Sequence, residues 1–225
     1  MSGERDSTAA RKGILARIRR AQGRDGAEPT AAELAAVRAA IARHEVGPQP
    51  PFAHAPDRLA QFRKECDRLG TTHATVSSLA GVPAEVARYL AAGALAPAVA
   101  GWGEFAALGW AGAGIEYRDR PAGAGDATGL TGCFCAIAET GTLLLLSSPA
   151  APKLNALLPE THVCVVHASR VLDTMEDAFA LLRAEVGEPP RATFFVSGPS
   201  RTADIEQTMI VGAHGPYRVH VIVAP

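Results

Sequence analysis

Two hydroxyls and a guanidinium stand close together in the stretch Ser197-Gly198-Pro199-Ser200-Arg201-Thr202, which follows the apolar run Thr193-Phe194-Phe195-Val196. These residue types suit the binding of a carboxylate or phosphate, because an arginine fork meets either anion in two parallel hydrogen bonds. The spacing is that of a strand, a tight turn at Gly198-Pro199, and a helix capped by Thr202 with Asp204 in its first turn. Backbone N–H groups would then lie open beside Ser197, Ser200 and Arg201 at the C-terminal edge of a sheet. A second reading gives Arg201 a structural role in a capped helix, and the spacing does not separate the two.

Two further positions carry chemistry. Glu139 stands in Ala138-Glu139-Thr140-Gly141-Thr142, between the apolar halves Gly132–Ala138 and Thr142–Leu146. An unpaired buried carboxylate is costly, so Glu139 must be solvated at a strand edge or paired. It is either a general acid/base or substrate-positioning group, or a turn carboxylate holding backbone N–H groups. His214, in the turn Gly212-Ala213-His214-Gly215-Pro216, can face the same edge as Arg201, either as a proton-transfer group or as a backbone cap. Glu139, Arg201 and His214 are therefore expected to meet at one edge of an α/β sheet.

The elements that must position these residues follow from periodicity. Thr8–Gln22 reads as an amphipathic helix with a basic face, and Thr30-Ala31-Ala32-Glu33 as a capping box opening a helix to about Arg43. Such helical arms suit packing on a second copy of the chain, or a solvated charged face. The proline-rich bridge from Pro48 to Pro56 marks a boundary, giving an N-terminal extension over 1–56 and a domain over 57–225. Within the domain, Asp57 caps a helix ended by Gly70, Thr72–Val76 reads as a strand, Pro83 opens a helix, and Ala96–Ala100 reads as a strand. No clean period appears between Gly101 and Leu130. Beyond it come a short helix near Lys153–Leu157, a strand at Thr161–Val166, a helix at Thr174–Val186 and a last strand at Arg218–Val223. The alternation is that of an α/β sheet.

Composition narrows the classes of function. The 22 basic and 23 acidic residues nearly cancel, which leaves no excess positive field for nucleic acid or an anionic membrane. The apolar run Leu143–Leu146 is far too short to span a bilayer and the first residues lack an apolar signal core, so a cytoplasmic location is expected. Cys66, Cys133, Cys135 and Cys164 form no Cys-x-x-Cys pair; Cys133 and Cys135, two apart in a strand, would both point into the core. With neither a cluster-ligating pattern nor a Gly-x-Gly-x-x-Gly fingerprint, the chain alone is expected to be colourless, without iron or flavin.

At Ala138–Thr142, Ser197–Glu206 and Gly212–Pro216 the chain closely resembles the LutC/YkgG family of lactate utilization proteins, which carry the LUD domain. The resemblance covers roughly Asp57–Pro225 and is strongest after Thr131. It implies a Rossmann-like α/β fold of the ribose-phosphate isomerase and CoA-transferase (NagB/RpiA/CoA-transferase-like) type. It further implies a component of a system oxidising L-lactate to pyruvate, with two partner proteins that hold iron–sulfur clusters. The family supplies no catalytic residue, so the roles of Glu139 and His214 rest on chemistry. So do those of the anion-binding group Thr140, Gly141, Thr142, Ser197, Gly198, Ser200, Arg201, Thr202 and Asp204. Two other classes stay open. One is an independent CoA-transferase- or isomerase-like enzyme using Glu139, and the other a non-catalytic scaffold; a homo-oligomer is compatible with all three.

Overall fold

Two helices come first. In the computed structural model, which describes residues 8–24, 28–45, 47–48, 56–203 and 208–225, α1 is Thr8–Ala21 and α2 is Ala31–Arg43. Thr30 accepts from the Glu33 N–H while the Glu33 carboxylate accepts from the Thr30 N–H at 2.8 Å, which is the expected capping box. Neither helix has a buried residue. The chain divides into two compact units, Met1–Pro50 and Pro51–Pro225.

The second unit holds the core, and its elements run in chain order. α3 is Arg58–Leu69, capped by Asp57 and ended by Gly70 at φ 80°. β1 (Thr72–Thr75), α4 (Val82–Ala92) and β2 (Ala98–Gly101) follow, then β3 (Glu116–Asp119), β4 (Thr128–Thr131), β5 (Cys135–Ile137) and β6 (Thr142–Leu146). The rest is α5 (Leu154–Leu157), β7 (Thr161–His167), β8 (Val171–Leu172), α6 (Met175–Glu185), β9 (Thr193–Val196), β10 (Arg201–Thr202), β11 (Ile210–Val211) and β12 (Arg218–Ala224).

Six strands form a wholly parallel sheet in the order β1-β12-β7-β4-β2-β3. Its middle strands are buried on both faces, so β7 and β12 each bury six residues of seven where simple alternation would bury half. The fold is α/β, as the strand and helix rhythm implies.

The strand ahead of the Ser197 stretch lies elsewhere. β5 and β6 are joined by the tight Glu139-Thr140-Gly141 turn, and so short a connection forces them antiparallel. β9 then pairs antiparallel with β6, Leu143 opposite Val196, in a second sheet of order β8-β5-β6-β9. Ser197 thus leaves a mixed sheet and not the C-terminal edge of the parallel one. The expected helix start at Thr202 is also corrected. Arg201 and Thr202 pair antiparallel with Val211 and Ile210 in a β-ribbon, where β-branched Thr202, Ile210 and Val211 fit better than in a first helical turn. Asp204 lies outside the described residues.

The cysteines also divide. Cys135 belongs to a small apolar cluster with Ile137, Leu144 and Ala178, whereas Cys133 packs against the main core that contains Cys164. Cys133 precedes β5, so the expected strand alternation does not govern it.

Candidate functional site

The groove begins with Ser197, Gly198 and Ser200. The Ser200 N–H donates to the Pro216 carbonyl at 2.9 Å, and the Ser200 carbonyl accepts from the Gly212 N–H at 2.8 Å. These two bonds hold the Gly212–Pro216 turn against the Ser197–Ser200 turn. Between them lies a groove of about 280 Å³ that includes Ser197, Ser200 and His214, with Leu157 and Phe195 as apolar walls. Gly215 packs closely there: a Cβ would come within 3.3 Å of the Ser200 Cβ, which would have to shift by a few tenths of an ångström.

A chain of hydroxyls leads into this groove. Thr140 Oγ1 lies 2.8 Å from Thr142 Oγ1, which lies 2.7 Å from Ser197 Oγ. Thr142 is buried at the start of β6, and β6 pairs with β9, so the sheet register itself sets the Thr142–Ser197 contact. A hydroxyl with one side occupied by another hydroxyl can still donate outward, and Ser197 is exposed to do so. Ser197, Ser200 and His214 together offer donors to a small anion and one imidazole able to take a proton.

Glu139 and Arg201 do not join them. Glu139 Oε1 accepts the Met175 N–H at 2.9 Å and its own N–H donates to Asp173, so it holds the start of α6. Asp173 in turn pairs with Arg58 at the start of α3. Arg201 Nη2 donates at 2.8 Å to the carbonyl of Leu69, the last residue of α3, where a cation complements the helix dipole. The two groups therefore hold different elements, Glu139 the start of α6 and Arg201 the end of α3. Of the three residues expected to meet at one edge, only His214 lines the groove.

The glycines explain why α3 lies where it does. Gly141, at φ 64°, approaches α3 so closely that a Cβ would lie 2.9 Å from the Glu65 carbonyl carbon. Gly198, at φ 81°, does the same against Leu69, again at 2.9 Å. Both belong to motifs whose residue types suggest ligand contact; Gly141 serves packing, and Gly198 serves packing while also lining the groove. Thr202 is half-buried and paired in β10. The groove walls Leu157 and Phe195 carried no signal in the sequence, since a leucine and a phenylalanine in apolar runs read as core. Among the described residues no three His, Cys, Asp or Glu side chains gather closely enough to hold a metal ion.

With this geometry in place, the pattern that defines the LUD domain matches residues 118–224. That stretch carries a LUD domain. Its similar proteins include an uncharacterized protein of Neisseria meningitidis, 41% identical over 88 residues, covering 39% of this chain and 38% of that one. Proteins named Lactate utilization protein C match as well. That of Deinococcus radiodurans is 39% identical over 95 residues (42% of this chain, 44% of that one), and that of Bacillus licheniformis 32% over 126 residues (51% and 52%). The matches thus span about half or less of the length of these curated relatives. A crystal structure of a DUF162 family protein from Deinococcus radiodurans superposes with a TM-score of 0.54 at 25% identity, over 78% of this chain and all of that one. The groove residues Ser197, Ser200 and His214 all fall inside the LUD stretch, whereas α3, on which Gly141 and Gly198 seat, precedes it.

Proposed function

We propose that this LUD-domain chain serves lactate utilization as the component that holds the small carboxylate. One observation carries the reading: Ser197, Ser200 and His214 converge on a groove of about 280 Å³, inside the stretch that matches the LUD domain, in a chain similar to proteins named Lactate utilization protein C. The serine hydroxyls donate to the carboxylate, and the Thr140–Thr142 chain fixes the Ser197 rotor. His214 accepts the proton of the substrate hydroxyl. Conversion of L-lactate to pyruvate also releases two electrons and a second proton, which we assign to two iron–sulfur partner proteins in a cytoplasmic complex. The parallel sheet with flanking helices supports reading the fold as one of the ribose-phosphate isomerase and CoA-transferase kind.

The alternative of an independent CoA-transferase-like enzyme with Glu139 as nucleophile is less well supported, because that carboxylate is engaged by the Met175 N–H. The test is calorimetric titration of the full chain with L-lactate, beside growth of a deletion strain on L-lactate. Ser200→Ala and His214→Ala are expected to weaken binding about tenfold and to fail to restore growth. Normal growth of the deletion strain on L-lactate would overturn the assignment.

A further inference from the structure

A second cavity, of about 300 Å³, shares no lining residue with the first groove and lies at the carboxyl ends of β2 and β3, beside the point where the parallel sheet reverses its strand order. From β2 the chain moves outward to the edge strand β3; from β3 it crosses back over β2 to β4 and continues through β7 to β12. In parallel α/β sheets the two crossovers diverge at such a point and leave a crevice outside the carboxyl ends of the strands. Here the crevice falls between β2 and β4, and the cavity adjoins it on the side of β2 and β3. It is lined by Gly101 at the end of β2 and Gly103 beyond it, Asp119 at the end of β3 with Arg120 and Pro121 after it, and Pro149 and Pro152 beyond β6.

We propose that this crevice binds the nucleoside part of a nucleotide, with the Asp119 carboxylate accepting both hydroxyls of the ribose. Three observations support this. First, Asp119 ends the strand next to β2, 18 positions beyond Gly101, and its carboxylate makes no hydrogen bond or ion pair among the described residues. Its neighbours Arg118 and Arg120 both spend their guanidinium groups on Asp126, at 3.0 Å and 2.7 Å. Asp119 is thus an acceptor with two free oxygens and no cation to neutralise it, which favours a pair of neutral donors over an anion.

Second, the backbone leaves room beside it. A Cβ on Gly103 would lie 3.1 Å from Asp119 Oδ1, and one on Gly101 would collide with the Tyr117 hydroxyl at 2.2 Å. Gly101 therefore makes room for Tyr117, and Gly103 keeps the Asp119 carboxylate uncovered. Third, the walls are flat and apolar. Trp102 is buried and its indole N–H donates to the Pro152 carbonyl at 3.1 Å, which fixes Pro152 in the wall. Proline faces of this kind accept a planar base. Only a three-residue 3-10 turn, Gly103–Phe105, follows the glycines, so the phosphates are left to project toward solvent.

The experiment is calorimetric titration of the full chain with ADP and with 2′-deoxy-ADP, in wild type, Asp119→Asn and Gly103→Val, with thermal melts of the unliganded proteins. ADP is expected to bind saturably, and both loss of the 2′-hydroxyl and Asp119→Asn to weaken it about tenfold. Asp119→Asn should leave the melt unchanged, since the carboxylate makes no bond to lose, and Gly103→Val should abolish ADP binding. L-lactate binding in the other groove should be unaffected by Asp119→Asn. Absence of saturable ADP binding, or binding indifferent to both the 2′-hydroxyl and Asp119→Asn, would overturn the proposal.

Discussion

Glu139 shows how one side chain can satisfy two readings of a sequence and only one of a structure. A carboxylate that accepts a helix-start N–H can be replaced by glutamine at small cost, because the amide oxygen accepts the same bond. Glu139→Gln should therefore lower stability by about 1 kcal/mol or less in urea unfolding and leave L-lactate binding intact. A nucleophilic role would instead abolish activity. His162 makes a second case: it is fully buried, with Nε2 2.8 Å from Thr131 Oγ1, and burial pulls its pKa down to about 4. Below its ordinary value of about 6.5 the unfolded chain takes up a proton that the folded chain refuses. Stability should then fall as pH drops from about 6.5 to about 4, by up to about 1.4 kcal/mol per pH unit from this residue. Urea midpoints measured across that range should show the slope, and His162→Gln should reduce it, leaving the share of His220, which burial likewise pulls down to about 4. The thiols give a third test. Burial pushes Cys66 and Cys135 up to about 12, the hydrogen bond with Cys164 and then burial raise Cys133, and Cys164 is enclosed in β7. Alkylation by iodoacetamide at about pH 8 should be negligible until the chain unfolds.

At the scale of elements, α3 organises more of the protein than its sequence suggests. It seats Gly141 and Gly198 against its side, takes Arg201 at its C-terminus and Asp173 at its N-terminus. Gly141→Ala demands both a left-handed conformation and space occupied by the Glu65 backbone, and should cost about 2 kcal/mol or more in thermal melting. Arg201→Ala should cost about 1 kcal/mol, the worth of an exposed bond to a helix end, with L-lactate affinity unchanged. Helices were legible because their ends are chemical: Asp57, Thr30 and Thr174 each cap a helix they could be seen to precede. The strands β3 and β4 were not. β3 is a polar edge strand, and β4 contains Gly129, where a Cβ would lie 1.9 Å from the Asn155 carbonyl oxygen. A glycine demanded by a distant backbone atom leaves no local trace of the strand it belongs to.

For the whole molecule, α/β alternation was readable from chain order, but the division into two sheets was not, because it depends on which strand β9 selects. That choice moved Ser197 and Ser200 away from the parallel sheet and beside His214, a proximity that two turns far apart in sequence do not announce. Among the described residues every buried core side chain lies between Phe62 and Ala224, so a chain beginning at Pro51 should still unfold in one cooperative step by calorimetry. The strand order has a further consequence for how the protein comes into being. β12 lies between β1 and β7, pairing Thr72 with His220 on one side and Val163 with His220 on the other. On the ribosome, β1 emerges early and must wait, its pairing edge uncovered, while some 140 residues are added before its neighbour exists. The interval is one in which a free strand edge invites association with other chains, and it makes β1 the segment whose protection by a chaperone would matter most during synthesis.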